Sequence, residues 1–465
     1  MALSDPMPQL ASAVGYLPEL VAQLETRIPY AAASLARNAG LEVNVNDRAQ
    51  AVTERAPSQG IVLGAWNGRY FEEAASANLT RDAVERLGRG LGDQIRLSDP
   101  IEAIDPGQPL KAHFATPCVQ DPTLLSAKDK LDRCLALQKQ TRALDPRIVN
   151  VQVRYSETLE GRVFVNRAKR LSQNILRLRL IVAVFVSDGR QMQYDWMTKE
   201  GSGGLELLSF TDQELQQLCE RSVRLLSAER ISPGMYDAIC TPDVSGVIAH
   251  EAFGHGVELD MFLKGRARSE LYLGKAVASP LVDILDDPSY PGAHGSYFFD
   301  DEGQLAAPTC IIRNGVFERG ISDFLSAHRL GVPRTANGRR ESFEHKVYAR
   351  MSNTFFAPGA SPVADLIAGI DHGVYLQHSS SGMEDPKGWG MQVTSHYGEE
   401  IRNGSLTGRI FAPIGITGYV PDILESVSAV GSDMKLSGGT CGKGHKEWVP
   451  VSSGGPHLRL KARLG

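Results

Sequence analysis

Two imidazoles and a carboxylate lie close together in segment 248–255, where His250, Glu251 and His255 interrupt an apolar stretch. Imidazole nitrogens bind zinc and related divalent metals, and a neighbouring carboxylate can accept and return a proton. The segment therefore predicts a metal centre with an attached general base, provided that a third ligand comes from elsewhere in the chain. The alternative is a helix end with two hydrogen-bonded histidines and a surface glutamate.

A helix must position these side chains, and the sequence indicates where it begins. Thr241 suits the N-cap, Pro242 the first helical position and Asp243 the first turn. The apolar residues that follow at helical spacing predict a buried stripe, which consists of Val244, Val247 and Ile248.

The spacing of the two histidines predicts an interruption of this helix. They are five residues apart, so on a regular helix of about 100° per residue their side chains would diverge by roughly 140°. Glycines at 254 and 256 allow a local distortion. We therefore expect either a π-bulge or the end of the helix near Gly254.

Cys441 lies in a glycine-rich run, 438–444, that lets another segment or a ligand approach closely. The neighbouring Lys443 favours the thiolate that metals require. The competing interpretation is a small buried thiol. The other cysteines form no Cys-x-x-Cys pair, which indicates reduced thiols in a reducing compartment; they are Cys118, Cys134, Cys219, Cys240 and Cys310.

The composition is that of an ordinary globular chain. Its 465 residues are 42% hydrophobic and 22% charged, enough for two or three domains. A formal charge of -5 gives no reason to expect nucleic acid or an anionic membrane as a partner. The first twenty residues lack a basic segment, and the longest apolar run, 180–186, is too short to span a bilayer. We expect a cytoplasmic protein that binds neither membrane nor nucleic acid.

The pattern of elements predicts an α+β fold in two domains, 1–230 and 231–465. The first is an α+β domain, with helices expected over 10–39 in two pieces, 80–91, 124–137 and 210–228, and strands between them. After the breaker at 232–234, glycine, asparagine and serine alternate with short apolar runs. The second domain is therefore expected to be mainly β, sheet-like or barrel-like, and to carry the helix with His250 and His255.

Several motifs in this second half resemble the TldD/PmbA family of metallopeptidases, on its metal-binding TldD side. They keep the family's order from about 233 to 456, whereas residues 1–230 resemble the family only in layout. The motifs are His250-Glu251-Ala252-Phe253-Gly254-His255 with Glu258 and Asp260, then 299–303, 337–342, 350–354, 441–443 and 449–451.

The resemblance implies a zinc ion held by His250, His255 and Cys441, with a fourth position left open for water. It implies that Glu251 is the general base, although a carboxylate at this place can instead hold a ligand imidazole. The implied substrates are peptides and unfolded protein segments. A glycine-rich strand beside the metal would pair with them, and the candidates are Gly388, Gly390, Gly438 and Gly439.

The resemblance also implies a dimer, either a homodimer or a heterodimer with a metal-free paralogue. Glu258, Asp260 and the acidic turn 300–302 are expected to support the site or the fold. Arg339 and Arg340 would either clamp a peptide carboxylate or brace the fold. Three further histidines are rival ligands or hydrogen-bond donors, namely His294, His345 and His445, and segment 383–386 departs from the family pattern.

Three other functions remain open from the sequence. One is a non-catalytic adaptor, in line with an older description of the family as modulators of DNA gyrase. Another is a hydrolase that uses Cys441 as its nucleophile, with a histidine as base. The third is a domain in which zinc is purely structural.

Overall fold

The computed structural model describes residues 8–444 and 447–465, which form a mixed α+β structure. The elements of the N-terminal half are α1 (Pro8–Glu25), β1 (Tyr30–Val45), β2 (Gln50–Trp66), β3 (Phe71–Ser76), α2 (Arg81–Gln94), β4 (Leu110–Ala115), α3 (Ala127–Arg142), β5 (Ile148–Val165), β6 (Lys169–Ser187), β7 (Met192–Ser202) and α4 (Asp212–Arg224).

The C-terminal half begins with β8 (Gly234–Cys240), so the predicted boundary near residue 230 lies in the connection 228–233. Its other elements are α5 (Pro242–Phe253), α6 (Leu259–Leu263), β9 (Ile284–Asp286), β10 (Thr309–Arg313), β11 (Val316–Phe317), α7 (Phe324–Leu330), β12 (Gly338–Arg339), β13 (Tyr348–Ala349), β14 (Asn353–Phe356), α8 (Val363–Ala368), β15 (His372–Asp385), β16 (Gly390–Arg402), β17 (Ser405–Phe411), β18 (Ile414–Tyr419), α9 (Val420–Glu425), β19 (Ala429–Val430), β20 (Lys435–Lys443), β21 (Glu447–Gly455) and β22 (Leu458–Leu464).

The N-terminal sheet has the order β3-β2-β1-β5-β6-β4, with β7 also paired to β6. Apolar side chains of β5 and β6, such as Val153 and Leu178, form one core with α3 and α4. The opposite face is polar, because the strand register places Ser156 and Arg179 side by side in a row that also includes Glu42 and Glu200. This polar face is turned toward the C-terminal half.

The helix expected over 10–39 is wrong in its second part. Residues 8–25 form α1, but 30–45 form β1, which lies between β2 and β5. Alternate residues Ala31, Ala33 and Leu35 are buried there, so pairing on both sides outweighs the helical preference of an alanine-rich segment. The helices expected near 80–91, 124–137 and 210–228 are confirmed as α2, α3 and α4.

A closed five-stranded barrel dominates the C-terminal half. Its strands run in the order β15-β8-β22-β18-β16, and β16 pairs back with β15. Each of the five strands therefore has two neighbours, which removes every open edge from the barrel. The predicted α+β class with a barrel-like second half is confirmed.

A second sheet of the C-terminal half, in the order β11-β10-β9-β14-β21-β20, lies across α5 from the barrel. The helix buries Ile248 and Phe253 between the two layers. At Gly246 the approach is so close that a Cβ atom would stand 2.3 Å from the backbone nitrogen of Gly454. β20 is an edge strand of this sheet, and among the described strands it pairs with β21 alone. A bilayer-spanning helix is absent from residues 8–444 and 447–465, because none of their helices combines the required length and apolarity.

Candidate metal centre

The helix that carries the histidines begins and ends where the sequence predicts. Thr241 occupies the N-cap, although its hydroxyl donates to Asp243 Oδ1 at 2.6 Å instead of accepting from a helix N–H. The helix ends at Phe253, and a 3₁₀ turn follows over 255–257. A Cβ atom on Gly254 would lie 1.9 Å from Met351 Sδ and 2.2 Å from the His250 carbonyl oxygen, so only glycine fits. Of the two expected distortions, the structure has the helix end.

This break brings the two imidazoles together with Cys441. The ring centres of His250 and His255 are 5.3 Å apart, and Cys441 Sγ is 3.2 Å from His255 Nε2. Each of the three side chains offers one donor atom, and these atoms lie within 4.8 Å of one another. His250 and Cys441 are buried, and His255 is partly buried.

The donor set fits a tetrahedral transition metal. Zinc with nitrogen ligands at about 2.0 Å and sulfur at about 2.3 Å holds its ligand atoms roughly 3.5 Å apart, close to the 3.2 Å between Cys441 and His255. Burial alone would raise the pKa of the Cys441 thiol, but His255 and His250 lower that pKa well below its usual value. The thiolate form required of a ligand is thus favoured. His250 Nδ1 is buried and has no hydrogen-bond partner within residues 8–444 and 447–465.

A network of charges orients His255. Its Nδ1 is 3.4 Å from Glu258 Oε2, which in turn lies 3.1 Å from Lys443 Nζ. Lys443 also contacts Asp260 Oδ1 at 2.6 Å. Because Glu258 engages Nδ1, the other ring nitrogen is left to face Cys441. Glu258 and Asp260 therefore support the site, one directly and the other through Lys443.

Glu251 faces the same space from α5. It is buried, yet its carboxylate makes no hydrogen bond or ion pair with any residue of the described chain. Burial raises its pKa, partly offset by His250 and His255. The backbone of β15 packs against it at Gly382, where a Cβ atom would lie 2.7 Å from Glu251 Cγ. The arrangement gives no sign that Glu251 holds a ligand imidazole.

His250 and Glu251 open into a cleft of about 630 Å³ between α5, β7, β15 and β20. Gly438 and Gly439 line it. Gly388 and Gly390 lie instead around the turn that joins β15 to β16. Among the described residues, neither of them lines the cleft. The turn is fixed beside the C-terminal end of α5, since Trp389 is fully buried against Phe253.

Arg339 and Arg340 brace the fold. Arg339 donates to the carbonyl oxygens of Met351 and Pro450 and is 2% exposed, which leaves no room for a peptide carboxylate. Arg340 donates to Glu73 Oε1 at 2.8 Å and so ties the two halves together.

The acidic turn at 300–302 is structural. Asp300 accepts backbone N–H groups from Glu302, Gln304 and Gly338. These bonds fix the turn and its contact with β12.

The rival histidines stay outside the donor group formed by the described residues. His294 packs behind Gly438, and burial together with Arg177 and Arg179 lowers its pKa to about 3. His345 Nδ1 lies 2.9 Å from Ser342 Oγ. His445 lies outside the described residues.

Two features of the site were missed from the sequence. Glu384 lies beside Gly256, and both of its carboxylate oxygens are buried without a hydrogen bond to any residue that the structure describes. Burial raises its pKa to about 9. Its only sequence signal was the unusual segment 383–386. His378 lines the cleft and lies 2.9 Å from the fully buried Asp195 of β7. That pair joins strands far apart in sequence, so no local pattern reveals it.

A family model for the PmbA/TldA metallopeptidase C-terminal domain matches residues 233–463. A metalloprotease of Methanothermobacter thermautotrophicus is 30% identical over 455 residues, which are 96% of this chain and 97% of the relative. The chain belongs to the TldD/PmbA family. A metalloprotease of a Synechocystis strain is 29% identical over 96% of both chains, and a zinc metalloprotease TldD homolog of Saccharolobus solfataricus is 31% identical over 54% of this chain and 56% of its own. The protein is a TldD-like metallopeptidase.

Solved structures show the same fold. A candidate modulator of a DNA gyrase from Thermotoga maritima superposes with a TM-score of 0.79 at 18% identity, over 96% of this chain and 99% of its own. TldE from Thermococcus kodakarensis superposes with a TM-score of 0.74 at 16% identity, over 96% of this chain and 98% of its own.

Proposed function

We propose that the protein hydrolyses peptide bonds in peptides or unfolded protein segments, with zinc held by His250, His255 and Cys441 and with Glu251 as the general base. The observation that carries the proposal is the convergence of the three donor atoms within 4.8 Å, beside the Glu251 carboxylate, which lines a cleft of about 630 Å³ and has no partner among the described residues. A zinc ion bound there would act as a Lewis acid and lower the pKa of its water.

Residues of the chain transfer the proton and hold the reacting groups in position. Glu251 accepts a proton from the attacking water at a carboxylate oxygen and delivers it to the leaving amine nitrogen. Glu258 holds His255 in one orientation, and β15 packs over Glu251 at Gly382 and limits its movement.

The free edge of β20 is the proposed binding surface for the substrate backbone. The Gly438 N–H points outward from this edge and donates to Glu200 Oε1 at 2.6 Å. An extended peptide can pair with such an edge through main-chain hydrogen bonds, which tolerate many side chains. Gly439 leaves space beside the edge, because the nearest atom to a Cβ there would be Val451 Cγ2 at 4.0 Å.

Metal content and hydrolysis, measured on the same samples, test the centre. The wild type should hold about one zinc per chain and cleave casein, and His250→Ala and Cys441→Ala should lose both. Cys118→Ala, half-buried and remote from the cleft, is the matched control. A folded wild type without metal, or metal unaffected by Cys441→Ala, would break the proposal.

The same samples separate the other functions. Hydrolysis that resists chelators but is blocked by thiol alkylation would indicate a Cys441 nucleophile. Unfolding on metal removal, without any hydrolysis before it, would indicate a structural zinc. A non-catalytic adaptor would show no hydrolysis in any sample. Its adaptor activity would be unchanged in His250→Ala.

The edge of β20 is tested by Gly439→Val. The added side chain fits the fold but enters the cleft, so casein hydrolysis should fall at least about tenfold while bound zinc stays unchanged. Gly390→Val is the control, because Gly390 has open space around it and lies away from the cleft. Equal losses in both variants would contradict the role of β20.

A dimer, with itself or with a metal-free paralogue, and a cytoplasmic location belong to the same proposal. The dimer rests on the family resemblance, and the location rests on cysteines that are free thiols. Light scattering of the purified chain, alone and after co-expression with a paralogue, tests the first. Cell fractionation tests the second.

A further inference from the structure

The cleft that contains Glu251 extends along α5 to a far end, defined by Asp243 and Ser379, which both line it. The Ser379 N–H donates to Asp243 Oδ2 at 2.9 Å, so β15 touches the first turn of α5 there. At the metal end, β15 packs against Glu251 at Gly382. Positions 243 and 251 are separated by about 12 Å of helix, and positions 379 and 382 by about 10 Å of strand. The far end is therefore about three or four residues of extended peptide away from Glu251.

The edge strand β20 leads toward the same end. A Cβ atom on Gly246 would stand 2.3 Å from the backbone nitrogen of Gly454, and Gly454 pairs with Leu436 of β20. Gly246 lies in α5 between Asp243 and the histidine ligand candidates. Leu436 is thus nearer to the far end than Cys441 is. A substrate that pairs with the edge of β20 would run from the metal centre toward the far end.

Two aromatic side chains line the cleft at the far end. They are Trp196 of β7 and His378, which precedes Ser379 in β15, and their ring centres are 5.5 Å apart. Both are partly exposed. Trp196 also packs against Tyr194 and His396, whose ring centres lie 5.9 and 4.8 Å from its own. An indole that is already held by other rings offers a preorganised aromatic surface to a ligand.

A buried carboxylate orients His378. Its Nδ1 lies 2.9 Å from Oδ1 of the fully buried Asp195, and the other oxygen of Asp195 accepts from Arg221 Nε at 2.9 Å. Because Asp195 engages Nδ1, the second ring nitrogen is left for another group. That nitrogen, Nε2, has no hydrogen-bond partner among the residues that the structure describes.

The backbone of β15 is irregular at this imidazole. His378 has a φ of 55°, in the left-handed region that residues other than glycine seldom adopt. Directly after it, the register of β15 with β16 shifts between 379 and 381. Irregularities of this kind redirect side chains and concentrate beside binding sites. They single out His378 among the residues that line the cleft.

We propose that the far end binds an aromatic side chain of the substrate, with its ring against Trp196, and that it prefers tyrosine, whose hydroxyl bonds to His378 Nε2. The tyrosine lies about three or four residues from the scissile bond. This inference rests on the proposed function, because it takes the course of the substrate from the edge of β20.

Binding of labelled peptides to the full chain tests the inference without any need for cleavage. The chain carries Glu251→Gln, so that peptides stay intact, and is loaded with zinc. Neutral ten-residue peptides of alanine, serine and glycine carry one variable residue, which is moved along the sequence. The variable residue is tyrosine, phenylalanine or cyclohexylalanine, which matches phenylalanine in size but lacks the aromatic ring. Fluorescence anisotropy measures the affinity.

At one position, or at two adjacent ones, phenylalanine should bind about two- to tenfold more tightly than cyclohexylalanine. Tyrosine should gain a further two- to tenfold, roughly, from the hydrogen bond. Added Trp196→Leu should remove the first preference. Added His378→Asn should remove the second, because asparagine tolerates the left-handed backbone but lacks the imidazole. Tyr70→Leu is the control, since Tyr70 is exposed between β2 and β3, away from the cleft; it should leave both preferences unchanged.

Equal binding of the three peptides at every position, or no binding of any, would overturn the inference. So would a phenylalanine preference untouched by Trp196→Leu or a tyrosine preference untouched by His378→Asn. Hydrolysis by the chain with Glu251 intact separates this failure from that of the proposed function. Metal-dependent cleavage of all three peptides without any preference would leave the function standing and remove the inference. Selective binding of tyrosine peptides without cleavage of any would do the reverse.

Discussion

His255 is the metal-ligand candidate that depends most on its neighbours. It follows the end of α5, in a single 3₁₀ turn, and Glu258 is the group that contacts its outer nitrogen. Glu258 is fully enclosed and balanced by Lys443 and Arg350. The orientation of one imidazole thus rests on a buried cluster of charges.

Replacement of Glu258 by glutamine should weaken zinc binding by about 10- to 100-fold, because the amide loses the charge that fixes His255. Competition with a chromophoric chelator measures the affinity. Glu157→Gln is the control, because Glu157 is equally buried and paired with Lys130 but remote from the cleft. Unchanged affinity in Glu258→Gln would show that His255 is held by other contacts.

Most of the individual residues in the candidate site were predicted from the sequence. His250, Glu251 and His255 share one short segment, and Cys441 stands out by its glycines. The pairing of Asp195 with His378 could not be predicted from the sequence, because β7 and β15 are brought together only by the packing of the two halves. Glu384 lacks any partner that a pattern could indicate.

The end of α5 is the decisive local element. If α5 continued as a regular helix, His255 would point away from His250. Gly254 ends the helix, because its lack of a side chain lets Met351 and the His250 carbonyl approach closely. The same contact fixes β14 close to the helix, since Met351 precedes that strand.

Gly254→Ala should destabilise the protein by about 3 kcal/mol, because its methyl group would overlap backbone that cannot move away. Bound zinc should be lost together with stability. Gly90→Ala is the contrast, since Gly90 is exposed in α2 with open space around it, and it should stabilise by about 0.5 to 1 kcal/mol. Thermal unfolding with metal analysis measures both, and a stable, metal-replete Gly254→Ala would contradict this account.

Elements were predictable where their signals are local. The start of α5 follows from Thr241 and Pro242, and its end from Gly254. The alanine-rich segment of β1 has a helical composition, and only its position between β2 and β5 makes it a strand. Barrel closure depends on pairs such as β8 with β22, which are far apart in the chain.

The two halves of the molecule meet over buried charges. Arg177 of β6 donates to the carbonyl oxygens of His294 and Ser296, and Arg340 reaches Glu73. These contacts hold the polar face of the N-terminal sheet against the second sheet of the C-terminal half. They also surround His294 with positive charge.

The stability that His294 contributes should therefore fall as the pH drops below neutrality. The pKa of His294 is lowered from 6.5 to about 3, so the unfolded chain takes up a proton that the folded chain refuses. The contribution of His294 to the free energy of unfolding is fully present above pH 6.5 and is lost as the pH falls toward 3. The loss is up to about 2 kcal/mol between pH 6.5 and 4.5. Urea unfolding at both pH values measures this loss.

His294→Gln should have a smaller loss over the same interval, because glutamine does not titrate. His345→Gln removes a half-exposed histidine and should keep the loss of the wild type. Parallel curves for wild type and His294→Gln would show that His294 is not the responsible group.

The separation of the metal donors along the chain has a consequence for biosynthesis. His255 and Cys441 are 186 residues apart, and the strand that lies between β8 and β18 is β22. A ribosome therefore makes α5 long before it makes the strand that supplies the thiol, and longer still before the barrel can close. A growing chain lacks one of the three proposed donors until Cys441 has been made, so it is not expected to cleave itself or neighbouring unfolded chains before then.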